Sequence, residues 1–200
     1  MFIAGLTGGA GSGKSTFRKI FCECSAAAFL DVDEVVRQLL QADAGVRQAI
    51  ENQLSSRAYD SGGCPDRAWL RELIYHQPEA RETLESILHP AVRIAWRRAV
   101  AESRKAGRSL IVEIPLLFEK NLEAGFDCSI LVAATPQTQL QRLAERGLDS
   151  AVARRMLAAQ LPNEEKIPRA SHVIWNDGSL DFLHAQAERL AHQFHRIYGN

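Results

Sequence analysis

Gly8-Gly9-Ala10-Gly11-Ser12-Gly13-Lys14-Ser15 fits the pattern G-x-x-x-x-G-K-[ST]. It stands between a short apolar run, Phe2 to Leu6, and a stretch that places Phe17, Ile20 and Phe21 on one helical face. Glycines let a backbone curl until several N–H groups point inward, and the positive end of the following helix adds to their pull on an anion. Lys14 is then placed for the β- and γ-phosphates of a nucleoside triphosphate, and the Ser15 hydroxyl for Mg²⁺. Roughly 1% of random chains of this length would contain the pattern by chance, given ordinary glycine usage, and the strand–loop–helix setting makes the match more specific. The stretch predicts triphosphate binding, with Gly8, Gly11, Ser12, Gly13, Lys14, Ser15 and Thr16 around the phosphates.

Outward from the loop, the chain alternates short apolar runs with helical periodicity. Ala27 to Leu30 is expected as a second buried strand, running into Asp31-Val32-Asp33. Ser109 to Ile114, Cys128 to Ala133 and His172 to Trp175 read as three more. Glu34 to Gly107 is helical almost throughout, with turns near Asp43-Ala44-Gly45, Ser61-Gly62-Gly63 and Gln77-Pro78. Within it His89-Pro90 is expected to break or kink the longest helix, because proline lacks an N–H and clashes with the preceding turn. Thr135-Pro136 supplies a cap and a first helical residue, Asp149 or Ser150 caps a short helix, and Ser179 opens a C-terminal amphipathic one. Five apolar strands separated by helices predict an α/β P-loop NTPase fold, a five-stranded parallel sheet flanked by helices. The expected layout is a single kinase domain: a core of residues 1–33, 108–141 and 167–200, a helical substrate region at 34–107 and a lid at 142–166. Chemistry in such a sheet belongs at the carboxyl ends of the strands.

Composition narrows the partners. Formal net charge is zero, the hydrophobic share is 46% and the charged share 24%, so nothing in the balance points to nucleic acid or to a membrane surface. No run reaches the roughly 18 apolar residues of a membrane span, and the start of the chain lacks a signal-peptide pattern. Cys22, Cys24, Cys64 and Cys128 are too few and too irregular for a disulfide framework. Cys22 and Cys24 have no His or Cys partner at finger spacing, so they are expected to be reduced, in a cytoplasmic protein. Basic residues are mostly arginine, suited to gripping phosphates. The oligomeric state is left open by the sequence.

A phosphate loop alone admits kinases, GTPases, transporter ATPases and helicases. No Asn-Lys-x-Asp and no Leu-Ser-Gly-Gly-Gln is present, which leaves guanine specificity and a transporter ATPase unsupported. The long helical stretch after the second strand points to a small-metabolite kinase. Asp31-Val32-Asp33 is expected at the end of the strand beside the loop strand. There a carboxylate can accept the proton of an attacking hydroxyl and help hold Mg²⁺; the same residues also suit a helix cap with an acidic first turn. Asp33 is the candidate general base, and Asp31 a metal or loop-orienting residue. Arg142 and Arg146, one turn apart, are candidates to neutralise charge on the transferring phosphoryl group. Arg37 is placed to clamp a substrate phosphate, and Asn176 with Gly178 to edge the adenine. His89 reads as packing or as a substrate contact, and Glu113 as a metal-side acid or the partner of an arginine.

The ordered set of motifs resembles the dephospho-CoA kinase family from Gly5 to about Gly178. Gly5-Leu6-Thr7-Gly8-Gly9 through Thr16 is similar to the family's opening, and Asp31-Val32-Asp33, with Arg37 and Gln38, to its Asp-Ala-Asp. Asp66-Arg67 with Leu70, Leu88-His89-Pro90, and Pro115-Leu116-Leu117-Phe118-Glu119 follow in the family's order. Thr138-Gln139-Leu140 with Arg142 and Arg146, then Gln160, Lys166 and Asn176-Asp177-Gly178, complete it. The resemblance implies ATP as phosphoryl donor, Mg²⁺, and dephospho-CoA as a small-molecule acceptor at its ribose 3′-hydroxyl. It puts the catalytic aspartate at Asp33 and assigns Arg67, His89, Pro115 and Leu116 to the substrate side. Ser25 to Ala28 and Leu54 to Arg57 depart from the family, which has a glycine and a Phe-Gly pair there. Ala170-Ser171 stands where Ala-Asp is common. The competing readings are another small-molecule or nucleoside-monophosphate kinase, and an ATP-binding regulatory module.

Overall fold

A computed structural model describes residues 1–199. Its strands are β1 (Ile3–Gly8), β2 (Ala28–Asp31), β3 (Leu110–Glu113), β4 (Cys128–Ala133) and β5 (His172–Trp175). The helices are α1 (Lys14–Ser25), α2 (Val32–Ala42), α3 (Ala44–Gln53), α4 (Arg67–His76), α5 (Pro78–Lys105), α6 (Pro136–Glu145), α7 (Ser150–Ala158), α8 (Asn163–Lys166) and α9 (Leu180–Tyr198). The strands form one parallel sheet in the order β2-β3-β1-β4-β5. Leu6 stands beside Glu113 of β3 on one side and Ile130 of β4 on the other.

That order corrects the expected place of β2. The strand beside β1 on that side is β3, and β2 lies one position further out, at the sheet's edge. β2 is not fully buried either: Phe29 is exposed, with the Arg18 guanidinium 4.3 Å over its ring. By contrast every residue of β1, β3 and β4 is buried, which is why those runs are mostly apolar, with Thr7, Glu113 and Ser129 as their buried polar members.

The chain divides into two compact units, Asp31–Ala99 and the remainder, Met1–Leu30 together with the chain from Val100 onward. In the larger unit α1 and α9 pack on the sheet. Phe17 and Phe21 stack at 5.5 Å, and Phe194 meets Phe21 edge-on at 5.5 Å, over Leu6, Ile130 and Val132. The smaller unit has its own core, including Leu40, Ile50, Tyr59, Leu70, Leu84 and Leu88.

Pro90 does not interrupt α5, which runs on through it for 28 residues. Proline removes one ladder bond there, but Ala80, Leu84, Leu88, Val92, Trp96 and Val100 are buried at every fourth position along the helix. Burial of that stripe holds both halves in one helix. Among the described residues no helix is long and apolar enough to cross a membrane.

Candidate active site

β1 ends at Gly8 and α1 begins at Lys14. Between them the backbone bends through left-handed conformations at Gly11 and Gly13, with φ of 73° and 90°, which side-chain-bearing residues avoid. Space is as tight as the angles: a Cβ on Gly8 would come 2.2 Å from the Val132 carbonyl oxygen, and one on Gly13 2.2 Å from Asn176 Nδ2. No side chain caps the first turn of α1, so its leading N–H groups suit an anion. Ser12 Oγ is buried with no hydrogen-bond partner among the described residues. An unpaired buried hydroxyl inside a glycine cradle fits a phosphate ligand. Lys14 Nζ donates to the carbonyls of Gly8 at 2.8 Å and Gly9 at 3.2 Å, arching back over the loop.

Three amide side chains hold this loop from outside. Buried Gln139, on α6, donates through Nε2 to the Ala10 carbonyl at 2.8 Å, and Gln160 Oε1 accepts from the Ala10 N–H at 2.9 Å. Asn176, buried just past β5, donates through Nδ2 to the Ser12 carbonyl at 2.8 Å. Its neighbour Asp177 accepts from the N–H of Thr135, the N-cap of α6, at 2.9 Å. Burial acts to raise the Asp177 carboxyl, but hydrogen bonds from Thr135, Thr138 and Trp175 outweigh it and hold the group below its ordinary value. The turn after β5 and the start of α6 are thereby tied together next to the loop.

Arg142 joins this group: its Nη1 lies 3.5 Å from the Gly11 carbonyl and 3.4 Å from that of Ser12, longer than ordinary hydrogen bonds. Arg146 does not extend α6 as its next turn. It is the exposed C-cap residue, with φ −86° and ψ 7°, one step past the last helical residue, Glu145. Asn176 spends its amide on the loop backbone, a supporting role that its expected place at the adenine did not include. Gly178 is exposed. Thr7 Oγ1 donates to the Pro115 carbonyl at 3.2 Å, and Leu116 follows half-buried. Glu113, the last residue of β3, receives Arg18 Nη1 at 2.9 Å, which favours the arginine-partner reading. Ser15 and Thr16 are exposed in the first turn of α1.

The other predicted residues belong to the smaller unit. Asp31 is the N-cap of α2: its Oδ1 accepts from the N–H groups of Asp33 at 2.9 Å and Glu34 at 3.4 Å. Asp33 is exposed in the turn so fixed. Arg37 pairs with Glu34, Nε to Oε2, at 2.7 Å. Arg67 opens α4 behind the cap Asp66 and is exposed. His89 is exposed on α5, its Nε2 3.8 Å from Glu85 Oε2.

Gln139, Gln160, Glu119 and Lys166 stood in the sequence only as motif landmarks, and the structure gives them work. Glu119 Oε1 accepts from the Leu161 N–H at 3.0 Å and from Lys166 Nζ at 2.8 Å. A lysine in a lysine-poor chain was the available signal; its burial to 1% exposure was not readable. All four cysteines are free, and burial pushes the Cys22 and Cys128 thiols up to about 11, as expected of inert core groups.

The family model for dephospho-CoA kinase matches residues 2–181. A dephospho-CoA kinase of Syntrophotalea carbinolica is 37% identical over 183 residues, covering 90% of this chain and 86% of its own. One from Thermosynechococcus vestitus is 37% identical over 186 residues, covering 92% and 91%. Among solved structures, a Thermus thermophilus protein superposes with a TM-score of 0.75 at 33% identity, covering 95% of this chain and 96% of that one. The Campylobacter jejuni dephospho-CoA kinase gives the same TM-score at 23% identity over 97% of each chain, a likeness of fold. A braced phosphate loop at the head of a parallel sheet, together with a family match over nearly the whole length, places the chain in the dephospho-CoA kinase family.

Proposed function

We infer that the protein transfers the γ-phosphoryl group of ATP to the ribose 3′-hydroxyl of dephospho-CoA, giving coenzyme A and ADP. The observation that carries this reading is the family match across residues 2–181, on a chain whose loop geometry suits a triphosphate.

The donor side follows from the residues described. The N–H groups of the loop and of the first turn of α1 bind the phosphates, and Lys14 moves from the Gly8 and Gly9 carbonyls onto them as a stronger, charged partner. Arg142 neutralises charge on the phosphoryl oxygens as it spreads during transfer, with Arg146 contributing from the exposed end of α6. Among the described residues no group of three or more His, Cys, Asp or Glu could hold a metal by itself. That suits an ion bound through phosphates and one or two protein oxygens. The Ser15 hydroxyl is the protein oxygen placed for Mg²⁺, which when bound offsets phosphate charge. Asp31 has its Oδ1 committed to capping α2, so of its two expected roles, metal support and orienting the loop, the second is favoured.

On the acceptor side Asp33 takes the proton of the ribose hydroxyl as its oxygen bonds to phosphorus and the bond to the ADP oxygen breaks. Arg37, Arg67 and His89 in the smaller unit are assigned to the acceptor, as are Pro115 and Leu116 in the larger one, and Asn176 and Gly178 to the nucleotide. Residues 142–166 serve as the lid that excludes water, which would otherwise compete for the phosphoryl group. Four free thiols suit a reducing cytoplasm.

A coupled assay for ADP with ATP, Mg²⁺ and dephospho-CoA tests the reading. Release of ADP equal to the acceptor added is the expected result. Release no greater than with ATP alone would overturn it.

A further inference from the structure

Lys166 is 1% exposed, and among the described residues its ammonium meets a single carboxylate, that of Glu119, at 2.8 Å. Taking such a pair out of water costs more than it commonly returns, so a buried ion pair is weak evidence of stabilisation and stronger evidence of a fixed geometry. The same Glu119 oxygen accepts the Leu161 N–H at 3.0 Å, while Glu119 Oε2 is buried with no hydrogen-bond partner among the described residues. Both bonds therefore run through one oxygen and pin two points of the segment from α7 to α8. A third point is pinned nearby, where Asn163 Nδ2 donates to the Ala134 carbonyl at 2.8 Å.

The residue immediately before Leu161 is Gln160, whose Oε1 accepts from the Ala10 N–H at 2.9 Å. Ala10 is held on its other side by Gln139, so both polar atoms of one phosphate-loop residue are gripped by side chains from different elements. Gln139 rides on a helix turn and needs no further support. Gln160 lies past the end of α7, its own N–H still bonded to the Leu157 carbonyl at 3.1 Å, and the next N–H along, that of Leu161, is held by Glu119.

We propose that Glu119 and Lys166 are positioning residues for nucleotide binding: the buried pair fixes the backbone at Leu161, and through it holds Gln160 against Ala10 so that the phosphate loop is set before ATP arrives. Preorganisation of this kind appears in affinity, since ordering costs are removed from the binding step. The inference rests on the loop being an ATP site, as in the function proposed above, and not on the identity of the acceptor.

A double-mutant cycle read by titration with a fluorescent ATP analogue and Mg²⁺, without acceptor, tests it. E119Q and Q160A should each weaken binding about tenfold, the scale of one charge-assisted hydrogen bond, and the double variant little more than either alone. Should E119Q fail to fold, E119L/K166M removes both charges and takes its place in the cycle. Unchanged affinity with a lowered Tm would make the pair a structural support only, and a double variant weakened about a hundredfold would mean Glu119 does not act through Gln160. Either result overturns the proposal. A wild-type chain that binds the analogue but ignores dephospho-CoA would remove the acceptor assignment and leave the cycle to be read as before.

Discussion

Asn176 donates to the carbonyl of Ser12 at 2.8 Å across 164 positions of sequence, and both residues are buried. The bond fixes the last part of the phosphate loop to the turn after β5, and the same Asn176 amide is what would collide with a Cβ on Gly13. Asn176→Leu removes the short donor and leaves the Ser12 carbonyl with only the longer 3.4 Å contact from Arg142. A stability loss of about 1–3 kcal/mol is expected, together with a raised KM for ATP and an unchanged KM for the acceptor. Urea denaturation and steady-state kinetics read the two effects.

Asp31 and Asp33 separate by role. Asp33→Asn keeps the shape of the α2 first turn and removes the proton acceptor proposed above; on that proposal kcat should fall ~10²-fold or more with nucleotide affinity intact. Asp31→Ala instead loses an N-cap and should cost about 1 kcal/mol of stability. Full activity in Asp33→Asn would reduce that residue to part of an acidic helix start.

Glu113 and Arg18 form a pair whose side chains are 8% and 18% exposed. Glu113→Gln removes the charge facing the guanidinium, which keeps its place over the Phe29 ring, and should lower stability by about 1.5–3 kcal/mol, the scale of a hydrogen bond to a charged group. The Mg²⁺ concentration giving half-maximal rate should stay where it is. A marked shift in that concentration would restore Glu113 as a metal-side acid.

His172 is half-buried in β5 with its ring 5.0 Å from that of Phe194. Burial lowers its pKa from the ordinary 6.5, so the folded chain holds the imidazolium proton less tightly than the unfolded chain does. Stability conferred by the neutral ring is complete above about pH 6.5, declines as pH falls below it, and levels off under the folded-state value. His172→Phe keeps the ring contact without the titration. Its Tm should vary less than that of wild type between pH 7 and 5; identical slopes would assign the acid sensitivity elsewhere.

Features decided over a few residues were legible. Cys128–Ala133 and His172–Trp175 form the strands read from their apolar runs. Thr135 caps α6 with Pro136 as its first residue, and Asp149 and Ser179 cap α7 and α9. Side-chain oxygens and fixed φ angles act within one turn, so sequence carries them. Pro90 shows the limit even there: the local rule expected a break or a kink, and with an apolar stripe buried from Ala80 to Val100 the helix is continuous.

By itself the sequence determined the phosphate loop, the five strands and their alternation with helices, because glycine conformations, caps and hydrophobic periods are local properties of the chain. Only the tertiary structure decided that β3 rather than β2 flanks β1, and that Gln139, Gln160 and Asn176 grip the loop. Strand order and side-chain partners depend on pairings between segments 100 or more residues apart. A residue's own neighbours do not record them: Asn176 reads the same whether its amide meets a ligand or the carbonyl of Ser12.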